Sequence, residues 1–180
     1  MKTIFIFFTV LLFSGAAFSQ YDTTPPYLKN KTLPNFTLLN LDSVAFTQSV
    51  LVKGKNTIVM LFNPECEHCQ HQLQLMLSMP EIIDSANLIL TSTETFIKIK
   101  TFYDKFHLEK YPLIHIGKDA KYFFGGFYKP KTIPVLAFYN RQNQLVFFNQ
   151  GTVMKKEMLD ALNQWQAILQ NAGSIPLRLL

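Results

Sequence analysis

The 180-residue chain has only two cysteines, Cys66 and Cys69, and one tryptophan. So few cysteines in a chain this long exclude a scaffold held by many disulfides, and any role of the thiols is a role of the pair. The 17 Lys and Arg outnumber the 12 Asp and Glu, but they are scattered. No dense basic stripe marks a nucleic-acid-binding face. Beyond the first twenty residues, no stretch is long and apolar enough to span a bilayer. Internal repeats and low-complexity tracts are also lacking.

What is present begins with "MKTIFIFFTVLLFSGAAFSQ". Lys2 gives a positive start, residues 4–13 are apolar apart from Thr9, and Ala17-Phe18-Ser19 puts small residues where a signal peptidase reads. The apolar run is shorter than the roughly 20 residues of a spanning helix. Residues 1–19 therefore read as a signal peptide, cleaved between Ser19 and Gln20, and not as a membrane anchor. No Cys follows the run to carry a lipid. We expect an exported protein, periplasmic or secreted, in an oxidising compartment. Loss of Lys2 lowers the formal charge from +5 to +4. The remaining ~160 residues suit one domain.

Residues 20–33 carry Pro25 and Pro26 and little apolar pattern, so they read as an extended leader. Residues 34–171 form the domain and 172–180 a C-terminal tail. A hairpin is expected over 35–48 around Asp42-Ser43, and buried strands over 56–63, 87–93 and 112–117. Two further strands, 134–140 and 144–150, flank Arg141-Gln142-Asn143. Helical spacing follows Cys66 and stops near Pro80. A second helix over 94–108 turns Ile97, Phe102 and Phe106 inward. A short one over 119–128 is expected to break at Gly125-Gly126. The last, over 155–171, has Met158, Leu162, Trp165 and Leu169 on one face. Alternating strands and helices followed by a hairpin predict an α/β fold with a central mixed sheet flanked by helices.

The stretch "NPECEHCQHQ", residues 63–72, holds both cysteines and two of the four histidines, His68 and His71. Cys66 is expected at the helix start, where free N–H groups and the helix dipole favour a thiolate. Cys69, one turn later, is expected to lie deeper and to attack a mixed disulfide formed at Cys66. A structural disulfide gains little from so short a loop. A metal site is also conceivable, but zinc usually takes a second Cys/His pair, and His107 and His115 are not spaced as one. Strand, turn, Cys-x-x-Cys and helix together favour redox chemistry. Far downstream, Pro134 stands at the start of a buried strand, a position suited to a proline or to a cis bond.

Residues 33–170 resemble thioredoxin-fold proteins, in particular the exported thiol-disulfide oxidoreductases of the TlpA/ResA type. The resemblance is carried by "LPNFTLLNLDSVAFT", "KGKNTIVMLFNPECEHC", "PLIHIGKDAKYFFGGF" and "KTIPVLAFYNRQNQLV", with an N-terminal β-hairpin and a βα insert over 87–108. It implies catalytic Cys66 and Cys69. It also implies a cis bond before Pro134 facing them, and an Ile133 backbone that pairs with substrate. Departures are visible. Glu65 stands where the family often has Trp. Met60 and Gln72 occupy places where relatives carry acids. Asn63 replaces the Thr of peroxiredoxins, which disfavours a peroxidase.

Glu67 and His68, between the cysteines, are candidates for tuning the redox poise. A protonated His68 would stabilise a Cys66 thiolate and Glu67 would oppose it. His71 is expected on the helix surface. The cluster Tyr122, Phe123, Phe124, Phe127 and Tyr128 is expected to serve mostly as core. The function expected is reduction of disulfides in exported client proteins, by a monomer without cofactor or metal, recharged by a membrane electron donor. The alternative is a copper or zinc carrier using the Cys/His cluster.

Overall fold

The computed structural model describes residues 23–172, with side chains to residue 163. The proposed signal peptide and the tail from 173 onward lie outside the described residues, as do the side chains of Trp165 and Leu169. The strands are β1 (Thr37–Leu39), β2 (Ala45–Thr47), β3 (Asn56–Leu61), β4 (Ala86–Ser92), β5 (Ile114–Lys118), β6 (Val135–Tyr139) and β7 (Leu145–Gln150). The helices are α1 (Pro26–Lys29), α2 (Glu67–Leu77), α3 (Pro80–Ile83), α4 (Phe96–Lys105), α5 (Phe123–Tyr128) and α6 (Lys155–Ala172).

Continuous runs of β-branched and large apolar residues give strands that are buried on both faces. β4 and β6 are buried along their whole lengths, and β3 from Thr57 onward. These three form the middle of a seven-stranded sheet with the order β2-β1-β5-β4-β3-β6-β7. β4 runs parallel to β3 and β5, whereas β6 runs antiparallel to β3 and β7. The hairpin of β1 and β2 joins the far edge through β5. The result is an α/β thioredoxin-like fold with a mixed sheet.

Side chains alternate along each strand, so the sheet has two cores. Ile58, Met60, Leu136 and Phe138 face Leu73 and Met76 of α2, Phe102 of α4 and Met158 of α6. Val59, Leu61, Val135, Ala137 and Tyr139 face Phe36 and the α5 residues Phe124 and Tyr128. Each fully buried side chain of this size contributes about 1.5–3 kcal/mol.

Three features differ from the sequence reading. The leader contains the short helix α1, and Tyr27 stacks on Phe148 with ring centroids 4.1 Å apart. In α4 it is Ile99 and Phe102 that are buried, while Ile97 is 81% exposed. Residues 97 and 99 lie about 200° apart on a helix, and contact with the sheet selects the second. α5 runs straight through Gly125-Gly126. The Asp119 carboxylate accepts from the N–H groups of Phe123 (2.9 Å) and Phe124 (2.8 Å) and so holds the first turn. Of the aromatic cluster, Phe124 and Tyr128 are core, Phe123 and Phe127 are half-buried, and Tyr122 is exposed.

Candidate active site

The site is built where β3 ends. The Phe62 N–H still bonds to the Thr91 carbonyl of β4 (3.0 Å), and then the chain turns. Asn63 organises the turn. Its side-chain oxygen accepts from the Glu65 N–H (2.8 Å), and its carbonyl accepts from the Cys66 N–H (3.1 Å). Cys66 is the N-cap of α2, the place that Ser or Asp usually takes. Its sulfur accepts from the Cys69 N–H at 3.3 Å.

Both thiols are free, Cys66 partly exposed and Cys69 fully buried. Cys69 Sγ donates to Cys66 Sγ at 2.7 Å, so the two sulfurs face each other at the helix start. Burial pushes the Cys69 thiol up to about 12 from 9.0. Its hydrogen bond to Cys66 adds to this, and the Asn63 main chain pulls the other way. The pair thus divides into one accessible sulfur and one protected, strongly protonated sulfur.

Helix α4 braces the turn from the side. Lys98 Nζ lies 2.7 Å from Glu65 and 3.3 Å from Glu94, and Glu94 in turn accepts from the Asn63 amide (2.9 Å). Gln70 donates to the Pro64 carbonyl (2.7 Å) and accepts from Lys105 Nζ (2.7 Å). Only the Glu94/Lys98 spacing of four was visible in the sequence. The remaining bonds join residues more than thirty positions apart, except that of Gln70, which reaches back from α2 to the turn.

Pro134 follows a cis peptide bond. Leu61 pairs with Val135, so the antiparallel β3/β6 ladder brings Ile133-Pro134 beside the end of β3. Ile133 and Cys66 pack against the same core, and Ile133 shares the wall of one cleft with Asn63. Glu67, His68 and His71 are all exposed on α2. Met60 is buried in the core, and Gln72 is buried with its oxygen on the Val153 N–H (2.6 Å) and its nitrogen on Met158 Sδ (3.4 Å). Neither place supplies a carboxylate to Cys69. Nothing in the sequence signalled the Gln72 contacts, whose partners lie more than eighty residues away.

Among the described residues, no group of three or more His, Cys, Asp or Glu is arranged to hold a metal ion. No described helix is long and apolar enough to cross a membrane.

No protein-family model matches the chain, and no curated protein matches it significantly. Solved structures do. A secreted disulfide oxidoreductase of Mycobacterium tuberculosis, homologous to Escherichia coli DsbE, superposes with a TM-score of 0.58 at 16% identity, covering 72% of this chain and 95% of that one. The exposed lipoprotein thioredoxin of Streptococcus pneumoniae strain TIGR4 gives 0.58 at 18% identity, covering 73% and 99%. StoA of Bacillus subtilis gives 0.55 at 17%, covering 73% and 98%. With these structures as its neighbours, the chain has the thioredoxin fold, and it carries its Cys-x-x-Cys pair at the start of α2.

Proposed function

We propose that the protein is a thiol-disulfide oxidoreductase that reduces disulfides of exported client proteins. The observation that carries this reading is the division of labour in the pair, an accessible Cys66 at a helix N-terminus with a buried Cys69 in contact with it. The Cys66 thiolate attacks one sulfur of a client disulfide. That S–S bond breaks, and the second client sulfur leaves as a thiolate and takes a proton from water. Cys69 releases its proton to solvent and attacks the Cys66 sulfur. The mixed disulfide breaks, and the first client sulfur leaves as a thiolate. The client gains two electrons, and the protein ends as the Cys66–Cys69 disulfide.

A dithiol donor at the membrane returns the two electrons. The Ile133 backbone pairs with an extended client segment beside Cys66, and Glu67 and His68 tune the poise from the exposed first turn of α2. Cleavage near Ser19-Gln20 releases the protein to the periplasm or the medium. The secreted oxidoreductase of Mycobacterium tuberculosis and the exposed lipoprotein thioredoxin of Streptococcus pneumoniae, which share the fold, support this location.

Insulin reduction by the purified mature protein tests the reading. Cys66→Ser abolishes it, and Cys69→Ser accumulates mixed disulfides with clients. Absence of reduction together with stoichiometric copper or zinc on the purified protein would replace the reading by the carrier alternative.

A further inference from the structure

Beside the dithiol turn lies a cleft of about 280 Å³. It opens at the carboxyl ends of β3 and β4, between the start of α5 and the loop that leads to Ile133. Leu61, Phe62 and Ile133 give it an apolar wall, and Thr91, Glu94 and Asp119 contribute polar groups. Neither Lys, Arg nor His belongs to its lining. Two carboxylates without a lining cation stand out in a chain of net charge +5.

The charges are held in place. Glu94 accepts from Asn63 and meets Lys98 from outside the cleft, and Asp119 accepts from two N–H groups of α5. A separate observation is an unpaired polar group in the wall of the cleft. Thr91 is 1% exposed and its hydroxyl has no hydrogen-bond partner. An unpaired buried hydroxyl costs about 1–3 kcal/mol, and it stands ready to accept from a donor that enters. The exposed Tyr122 ring completes the site. It lies against Gly125, where a Cβ would come within 2.8 Å of the ring, so only glycine lets it rest there. A ring face is a favourable neighbour for a cation.

We infer that this cleft binds a basic side chain, Lys or Arg, of the client residue next to the cysteine that Cys66 attacks. The aliphatic stem lies along Leu61, Phe62 and Ile133, and the charged head donates to Thr91 Oγ1 and faces Glu94 and Tyr122. An anion would meet two carboxylates, and a wholly apolar group would leave the Thr91 hydroxyl unpaired. Successive residues of an extended segment point to opposite sides. A client strand on the Ile133 backbone that presents its cysteine to Cys66 thus sends its neighbour toward the cleft. The placement beside the client cysteine rests on the oxidoreductase reading. The preference for a basic side chain does not.

Two measurements keep the proposals apart. The first uses the Cys66→Ser/Cys69→Ser protein and hexapeptides carrying Ser in place of cysteine, with Lys, norleucine or Glu beside it. Binding is followed through the amide resonances of Thr91, Thr93 and Gly125. The Lys peptide should bind about fivefold tighter than the norleucine peptide, the order expected of one partly exposed ion pair plus a ring contact. The Glu peptide should bind weakest. Thr91→Val and Glu94→Gln should each bring the Lys preference toward one, and Thr91→Val should unfold at an unchanged or higher temperature because a methyl group replaces an unpaired hydroxyl. Equal binding of Lys and norleucine peptides, or a preference that survives both substitutions, overturns the basic subsite. The second measurement is the rate of reduction of the matching peptide disulfides by the native protein. Failure to reduce any of them, with Lys-selective binding intact, overturns the oxidoreductase reading and leaves the subsite standing. Uniform reduction with uniform binding does the reverse.

Discussion

Iodoacetamide reacts with thiolates, so the reduced protein should be labelled at Cys66 long before Cys69. Burial and the bond to Cys66 raise Cys69 from 9.0 to about 12. At pH 8 a thiol with a pKa of 9.0 is roughly 10% thiolate, and one at 12 is roughly 0.01%. The thiolate deficit alone is therefore about a thousandfold, and full burial of the sulfur's residue slows attack further. The Cys66→Ser variant isolates the effect. It removes the thiol–thiol bond but keeps burial, the larger cause. Cys69 labelling in that variant should stay slow and rise about tenfold per pH unit between pH 8 and 10. The assay is timed quenching, digestion and mass spectrometry, with the same variant in urea as the reference. Labelling of folded Cys69 within tenfold of the urea rate, or a plateau near pH 9, would refute the reasoning.

The same proton makes the reduced fold sensitive to alkali. Folded Cys69 holds its proton to a higher pH than the unfolded chain, so its stabilisation is complete below pH 9 and is lost as pH rises toward 12. Urea midpoints should fall from pH 9 upward, and less steeply in Cys69→Ala; Tyr139, raised by burial to about 12 from 10.0, adds a loss that begins near pH 10. The buried Tyr128 and Tyr139 hydroxyls lie 2.6 Å apart. Tyr139→Phe should cost about 1–3 kcal/mol in urea unfolding, and the double Phe variant less than the sum of the singles. Gln72→Leu leaves the Val153 N–H without its acceptor. It should cost about 1–3 kcal/mol by the same measurement while Cys66 labelling stays unchanged.

The legible parts of the sequence were those where local pattern and final environment agree. β3, β4 and β6 are buried on both faces, so their continuous apolar runs had one reading. The place of Cys66 and Cys69 at the start of a helix was legible because strand, turn and helix signals meet within ten residues. In α4 the inward place of Phe102 was legible, but Ile97 was taken for Ile99, since the two are equally apolar and only the sheet distinguishes them. Gly125-Gly126 reads as a break by propensity, about 1 kcal/mol per glycine. The Asp119 cap and the burial of Phe124 and Tyr128 outweigh it. The α4 brace and the Gln72 contacts stayed hidden because each joins elements that are distant in the chain, and the tyrosine pair because no local pattern marks two hydroxyls that meet inside the core.

The two cores on either side of the sheet index the site. Ile58 and Met60 fit one layer and Val59 and Leu61 the other, and the partner residues of β6 divide in the same way. Sliding β6 by a single residue would drive Leu136 and Phe138 into the layer shaped for Val135, Ala137 and Tyr139, and those three into the other. Such a slip is also the smallest step that would move Ile133 away from the end of β3. The alignment of Ile133 with the dithiol turn is therefore fixed by the volumes of side chains in the two cores of the sheet. A substitution deep in the sheet that left both cysteines intact could thus move Ile133 out of line with them by shifting it along this ruler.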